Sequence, residues 1–159
     1  MPRYVILRHE MPAGCERASH WDFMLEADGA LRTWALPAPP DSTSPIEAEA
    51  LPDHRLAYLH IEGPISSAGG AGSRGTVARW DEGIYRLIRR SAGEWEIELT
   101  GKRSRGRATL TRLSQGETAA GAQRWRFSFS PEGAKATGLK PGSQVGEPSE
   151  LPRVVRPAT

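Results

Sequence analysis

Polar and apolar residues alternate in short stretches along the whole chain, and Gly, Pro, Asp or Ser closes off each stretch. Tyr4–Leu7, Trp21–Leu25, Leu31–Leu36, Leu56–Ile61, Thr76–Trp80, Ile84–Ile88, Trp95–Leu99, Ala108–Leu113 and Trp125–Phe129 all read this way. Successive side chains of a strand point to opposite faces, so these stretches predict half-buried strands, and no window sustains a helical period. Ala27-Asp28-Gly29, Asp81-Glu82-Gly83 and Ser91-Ala92-Gly93 carry the residues of hairpin connections between them. The predicted fold is mainly β: a compact antiparallel β-barrel of about eight short strands with little helix, a sandwich being the other arrangement such a pattern permits. The one predicted helical piece is Ile46–Ala50, behind the proline-rich stretch Pro37–Pro45. Trp21, Phe23, Leu25, Trp34, Trp80 and Trp95 occupy the apolar phase of their strands and are expected to be buried.

Composition narrows the class. With 159 residues, 38% of them hydrophobic and 25% charged, the chain is of a size that forms one hydrophobic core. After Pro131 large apolar residues become scarce and Pro, Gly and Ser frequent, which predicts a barrel domain over residues 1–130 and an extended tail over 131–159, with Leu151–Val155 docked on the body. No apolar run approaches the roughly 18 residues that span a bilayer, and the opening MPRYVILRHE has too short an apolar stretch for a signal peptide. A cytoplasmic protein with no membrane contact is expected. Cys15 is the only cysteine, so no intrachain disulfide can form, and no role is assigned to it.

The net charge of +2 conceals an uneven distribution: residues 1–63 hold five Arg and ten acids, whereas residues 74–126 hold twelve Lys/Arg and six acids. Arg103, Arg105 and Arg107 recur at every second position, which on a strand aims all three at one face. Such a face could track a phosphate backbone, or it could be an ordinary solvated face. Residues 66–75, SSAGGAGSRG, are glycine-rich but lack the Lys-Ser/Thr signature and the following helix of a nucleotide cradle, so a lid or plain connector is expected there.

Candidate chemistry lies in His20-Trp21-Asp22-Phe23-Met24-Leu25-Glu26. On a strand, Trp21, Phe23 and Leu25 share one face, and His20, Asp22, Met24 and Glu26 share the other. An imidazole and a carboxylate two residues apart on a rigid strand can hold one divalent cation together. His9, at the end of the apolar strand Tyr4–Leu7, is the nearest third ligand, and two histidines with one carboxylate suit Mn²⁺, Fe²⁺ or Zn²⁺. His54 and Tyr58 form a second group, in which an imidazole and a phenol could donate to a phosphate or protonate a leaving oxygen. Alone, the first pair describes many surface ion pairs and the second a turn histidine beside a strand tyrosine.

Taken jointly, these segments resemble the 3′-phosphoesterase domain family of bacterial DNA ligase D. That family reads His, a gap, His-Tyr-Asp-Phe-Arg-Leu-Glu, Asp-Gly and Ser-Trp-Ala-Val-Pro. This chain has His9, His20 to Glu26, Asp28-Gly29 and Thr33-Trp34-Ala35-Leu36-Pro37 in the same order. The family continues with Asp-His-x-Leu-x-Tyr, Glu-Gly and Val-x-x-Trp-Asp-x-Gly. Asp53 to Tyr58, Glu62-Gly63 and Val77 to Gly83 answer to these. The resemblance runs from about residue 4 to residue 129, and the joint spacing is far more specific than any one motif.

It implies a β-barrel that processes 3′ ends of DNA or RNA, removing a 3′-phosphate or a 3′-ribonucleotide in non-homologous end joining. It further implies a divalent metal, Mn²⁺ first and Zn²⁺ or Fe²⁺ as alternatives, held by His9, His20 and Asp22, with His54 and Tyr58 as the catalytic, phosphate-contacting pair. Nucleic-acid 3′ ends, and DNA-repair proteins alongside them, are the implied partners. With no ligase or polymerase module in the sequence, the chain resembles a stand-alone branch of the family. One position departs: Met24 stands where the family has a phosphate-facing arginine. An arginine at position 24 is expected to restore that donor without adding bulk to the core side, and Arg32, Arg74 and Arg79 are the residues that could otherwise supply the charge. Two other functions remain on the sequence alone: a non-catalytic, metal-containing module that binds nucleic-acid ends, and a non-haem iron oxygenase, whose facial triad the same ligand set describes.

Overall fold

The computed structural model describes residues 1–66, 73–117 and 121–133. Nine strands follow in order: β1 (Arg3–Glu10), β2 (His20–Ala27), β3 (Ala30–Leu36), β4 (Ile46–His54), β5 (Gly63–Ser66), β6 (Ser73–Ser91), β7 (Glu94–Gly101), β8 (Arg105–Glu117) and β9 (Gln123–Pro131). They lie in the order β1-β2-β3-β4-β9-β8-β7-β6-β5, and β1 also pairs with β6, which closes eight antiparallel strands into a barrel with β5 appended outside the ring. The long strand β6 makes closure possible. Its first part runs beside β1 from Thr76 to Ile84, and its second part beside β7 from Gly83 to Ser91.

The barrel is filled by the inward phase of each strand. Tyr4, Phe23, Leu25, Trp34, Trp95, Trp125 and Phe127 form one buried cluster with the aliphatic residues between them. Trp34 meets Trp95 edge-on at 5.9 Å and Trp125 at 5.4 Å between ring centroids, the geometry that aromatic quadrupoles favour. Of the six residues expected to be buried, Phe23, Leu25, Trp34 and Trp95 are. Trp21 and Trp80 are only half-buried at the rim of the core, where guanidinium groups cover them: Arg8 at 4.3 Å and Arg103 at 3.9 Å from the ring centroids.

A second apolar cluster lies outside the barrel wall. Val5, Leu7, Met24, Leu31 and Val77 belong to the outward phase of β1, β2, β3 and β6, yet they are buried beneath Tyr58, Leu59, Ile61 and Ile65. The 3-10 turn after β4 together with β5 therefore serves as a lid over this part of the wall. Tyr4–Leu7 is buried on both faces for this reason, which explains four consecutive apolar residues where strict alternation would place two.

Several sequence expectations are corrected. Ile46–Ala50 is no helix but the start of β4: Ile46 and Ala48 are buried while Glu47 points outward, so a period of two decides over the helical propensity of Glu and Ala. Leu56–Ile61 is no strand. Leu56–Leu59 forms a single 3-10 turn, closed by Tyr58 N–H donating to Arg55 O at 2.9 Å and His60 N–H to Ala57 O at 3.0 Å.

Asp81-Glu82-Gly83 makes no hairpin, because β6 runs straight through it. Gly83 is required there for space: a Cβ would stand 2.2 Å from the carbonyl oxygen of Thr100 on β7. Asp81 is buried and accepts from Tyr4 Oη–H at 2.6 Å, Arg103 N–H at 2.7 Å and Ser104 N–H at 3.0 Å, pinning the β7–β8 turn to the barrel floor. The other two hairpins form as expected, and Asp28 and Gly29 both take positive φ, 54° and 81°, as a two-residue turn of matching twist requires. Arg105 and Arg107 lie exposed on β8, but Arg103 is in the preceding turn and Arg107 pairs with Glu96 at 3.2 Å, so the three make no continuous cationic face. Most of the glycine-rich segment 66–75, the tail beyond residue 133 and its Leu151–Val155 stretch lie outside the described residues. Among the described residues, no helix is long and apolar enough to cross a membrane.

Candidate metal centre and phosphate cavity

Antiparallel pairing of β1 with β2 sets His9 directly opposite His20 and Leu7 opposite Asp22. All four residues belong to the outward phase, so the two imidazoles and the carboxylate emerge together at the edge of the outer apolar cluster. Their ligand atoms lie within 4.8 Å of one another, the only such group of His, Cys, Asp or Glu side chains among the described residues. His9 Nδ1 is 3.4 Å from Asp22 Oδ2, and His20 Nε2 is 3.0 Å from Asp22 Oδ1.

The remaining ring nitrogens determine what these contacts mean. His9 Nε2 is 2.7 Å from the carbonyl oxygen of Arg74, and His20 Nδ1 is 2.8 Å from that of Ala18. A carbonyl can only accept, so each of these nitrogens carries the proton. In the neutral rings His9 Nδ1 and His20 Nε2 are then bare lone pairs, aimed at a carboxylate that also has only lone pairs to offer. Asp22 is buried, and its Oδ1 has no hydrogen-bond partner. Three converging acceptors are reconciled by an extra proton or by a cation. Histidines whose distal N–H is held by a backbone carbonyl are the usual second-sphere arrangement of a metal ligand, and the donor set fits Mn²⁺, Fe²⁺ or Zn²⁺.

Proton occupancy follows the same geometry. The hydrogen bond to Asp22 raises the His9 imidazole above its usual 6.5, against burial, which lowers it. Burial pushes the Asp22 carboxyl up, but the two imidazoles outweigh it and hold the group at about 2. In the metal-free protein the two groups stabilise in opposite senses. The lowered Asp22 contributes above its ordinary 3.8, and this is lost as pH falls through about 2. The raised His9 contributes below 6.5, and this is lost as pH rises through its elevated value. With the metal chelated, Asp22→Asn is therefore expected to lower stability most between about pH 4 and 6.5 and less on either side. Urea midpoints of the two proteins across that range test this, and a difference independent of pH would contradict it.

Beside the three residues opens a cavity of about 610 Å³, lined by His9, His20 and Asp22 together with His54, Tyr58, Arg17, Arg55 and Arg74, among others. His54 and Tyr58 thus share a cavity with the candidate ligands, although they come together through the 3-10 turn and not along a strand. Their rings meet edge-on at 5.1 Å. His54 Nδ1 is 3.0 Å from the carbonyl oxygen of Pro52, which assigns it the proton and leaves Nε2 as the free nitrogen.

Met24 does not line this cavity. It is 1% exposed within the outer cluster, so its face of β2 is also a packed face, and an arginine at position 24 would not be free of cost to the core. Of the three residues named as alternative sources of charge, Arg32 is engaged with Asp53 at 3.2 Å and Arg79 with Glu62 and Glu82, both at 3.6 Å. Arg74 alone of the three lines the cavity. Arg17, Arg55 and Cys15 also line it and were not singled out by sequence. For Arg55 the available signal was its place between His54 and Tyr58.

Residues 9–112 match the family model for the DNA Ligase D 3′-phosphoesterase domain. The chain is 40% identical over 107 residues to the multifunctional non-homologous end joining DNA repair protein LigD of Mycobacterium tuberculosis, covering 62% of this chain and 13% of that protein. It is 28% identical over 172 residues to the multifunctional non-homologous end joining protein LigD of Pseudomonas aeruginosa, covering 99% of this chain and 19% of that protein. The chain thus spans less than a fifth of the length of these relatives.

Proposed function

The chain belongs to the DNA ligase D 3′-phosphoesterase domain family, and from that premise we propose that it is a metal-dependent phosphoesterase processing 3′ ends of DNA or RNA in end-joining repair. The observation that carries this reading is the pair of tautomer-fixed histidines aimed at a buried carboxylate in the same cavity as His54 and Tyr58. His9, His20 and Asp22 would hold a divalent cation, Mn²⁺ the first choice, which when bound would supply Lewis-acid polarisation of a phosphate oxygen. The protein's own groups do the rest. The backbone carbonyls of Arg74 and Ala18 keep the two imidazoles oriented, and Asp22, buried and ionised, faces both. His54, with its Nδ1 proton committed to Pro52, presents Nε2 to the substrate and in its protonated form donates to the departing oxygen. The Tyr58 hydroxyl adds a donor to the phosphate.

A second reading has one observation in its favour: the buried thioether of Met24 stands where the family has an arginine, which fits a module that binds nucleic-acid ends without turning them over. An assay separates the two. A 3′-phosphorylated oligonucleotide incubated with the protein and Mn²⁺ is expected to be converted to the 3′-hydroxyl form, with chelator abolishing conversion. His54→Ala is expected to lower kcat by about 10²-fold or more while leaving Mn²⁺ binding unchanged. Metal binding with no conversion by the wild type would leave the binding module as the function.

A further inference from the structure

We infer that Arg55 and Arg74 together bind the terminal phosphate in the metal-site cavity, taking over the charge that Met24 does not provide. The inference rests on the reading of this cavity as a 3′-end site; of the three arginines the sequence offered as sources of charge it keeps Arg74, and it adds Arg55.

The charges lining the cavity are largely spent on one another. Its two carboxylates are both engaged, Asp22 by His9 and His20 and Asp53 by Arg32 at 3.2 Å. Of its three arginines, Arg17 is tied to Glu49 at 3.1 Å. Arg55 and Arg74 remain, both exposed and neither with an acidic partner among the described residues. Elsewhere on the barrel arginines are commonly paired, as in Arg86–Glu98 at 2.8 Å, Arg89–Glu96 at 2.9 Å and Arg90–Asp28 at 2.7 Å. The cavity is therefore lined by two arginines without an acidic partner among the described residues.

Backbone contacts hold both residues in register with the site. The Arg55 carbonyl accepts from Tyr58 N–H at 2.9 Å, so Arg55 is built into the turn that carries His54 and Tyr58. The Arg74 carbonyl accepts from His9 Nε2 at 2.7 Å, so Arg74 is anchored to a candidate metal ligand. A guanidinium offers paired N–H donors in the geometry of two phosphate oxygens. Two of them on separate elements match a dianionic monoester better than the single negative charge of each internal phosphodiester. The ligand class is thus a polynucleotide 3′-phosphate in preference to a 3′-hydroxyl end.

The test compares two oligonucleotides, one ending in a 3′-hydroxyl and one in a non-hydrolysable 3′-methylenephosphonate, binding to the Mn²⁺-loaded chain by fluorescence anisotropy. The wild type is expected to prefer the phosphonate end by about tenfold. Arg55→Gln and Arg74→Gln should each reduce the preference several-fold, and the double variant should bring it close to unity with Mn²⁺ binding intact. Arg105→Gln, on the exposed face of β8 and outside the cavity, should leave the preference unchanged. A double variant that keeps the preference, or a wild type without one, overturns the assignment. Conversion of 3′-phosphate to 3′-hydroxyl is scored separately. A wild type that prefers the phosphonate end but never turns over refutes the enzyme and leaves the two arginines as end-binding residues.

Discussion

Asp22→Ala is expected to lower Mn²⁺ affinity by more than about 100-fold, beyond the range that follows loss of a second-sphere partner alone, and to reduce 3′-phosphate removal to the level seen with chelator. Asp22 stands against both imidazoles, 3.4 Å from His9 and 3.0 Å from His20. Removing it takes away a ligand and also the charge that makes two adjacent, half-desolvated histidines tolerable beside a cation. The fold should survive at some cost in stability, because the backbone pairing of β2 with β1 and β3 around this position does not depend on the carboxylate. Calorimetric Mn²⁺ titration with circular dichroism on the same samples decides the matter. Affinity within a few-fold of the wild type would mean that these three residues are an ordinary buried ion-pair cluster.

Asp81→Ala should cause the largest loss of stability from a single polar substitution, about 3 kcal/mol or more, without touching the metal centre. The carboxylate satisfies Tyr4 Oη–H, Arg103 N–H and Ser104 N–H together, and each donor left buried and unpaired costs roughly 1–3 kcal/mol. Burial, and then the carboxylate beside it, push the Tyr4 phenol well above its ordinary range, so the tyrosine stays a donor and cannot adapt by ionising. Guanidinium unfolding should show the shift in midpoint while Mn²⁺ affinity is retained. A shift below about 1 kcal/mol would mean that water replaces the carboxylate at the barrel floor.

The two expectations differ in how far the sequence announced them. His20 and Asp22 were legible because alternation through Trp21, Phe23 and Leu25 gives a strand only one register, and the apolar run ending before His9 gives that strand one neighbour. The barrel was legible for the same reason: period-two stretches punctuated by turns leave few other architectures. Asp81 was not, because Asp-Glu-Gly in an alternating segment has the composition of a hairpin, and only tertiary closeness to Thr100 and Tyr4 reveals Gly83 as a spacer and Asp81 as a buried acceptor. The outer cluster was half legible. Tyr4–Leu7 has no polar phase, a sign of burial on both sides, but its cover comes from Leu59, Ile61 and Ile65, residues whose spacing imitates a strand. The same misreading made the face of Met24 look open.

Barrel closure also sets the order in which the site can be made. His20 is oriented by Ala18, two residues away, whereas His9 is oriented by Arg74, which lies 65 residues further along the chain. A nascent chain that has emerged only as far as β5 already contains His9, His20, Asp22, His54 and Tyr58, yet nothing holds His9 in its metal-binding tautomer. That contact forms only when β6 returns to pair with β1, the longest-range pairing event the N-terminal strand undergoes and one that pays for loop closure before any contact rewards it. On the proposed reading, full-strength metal capture waits for β6 to pair with β1, and the appearance of tight Mn²⁺ binding during refolding would time that pairing.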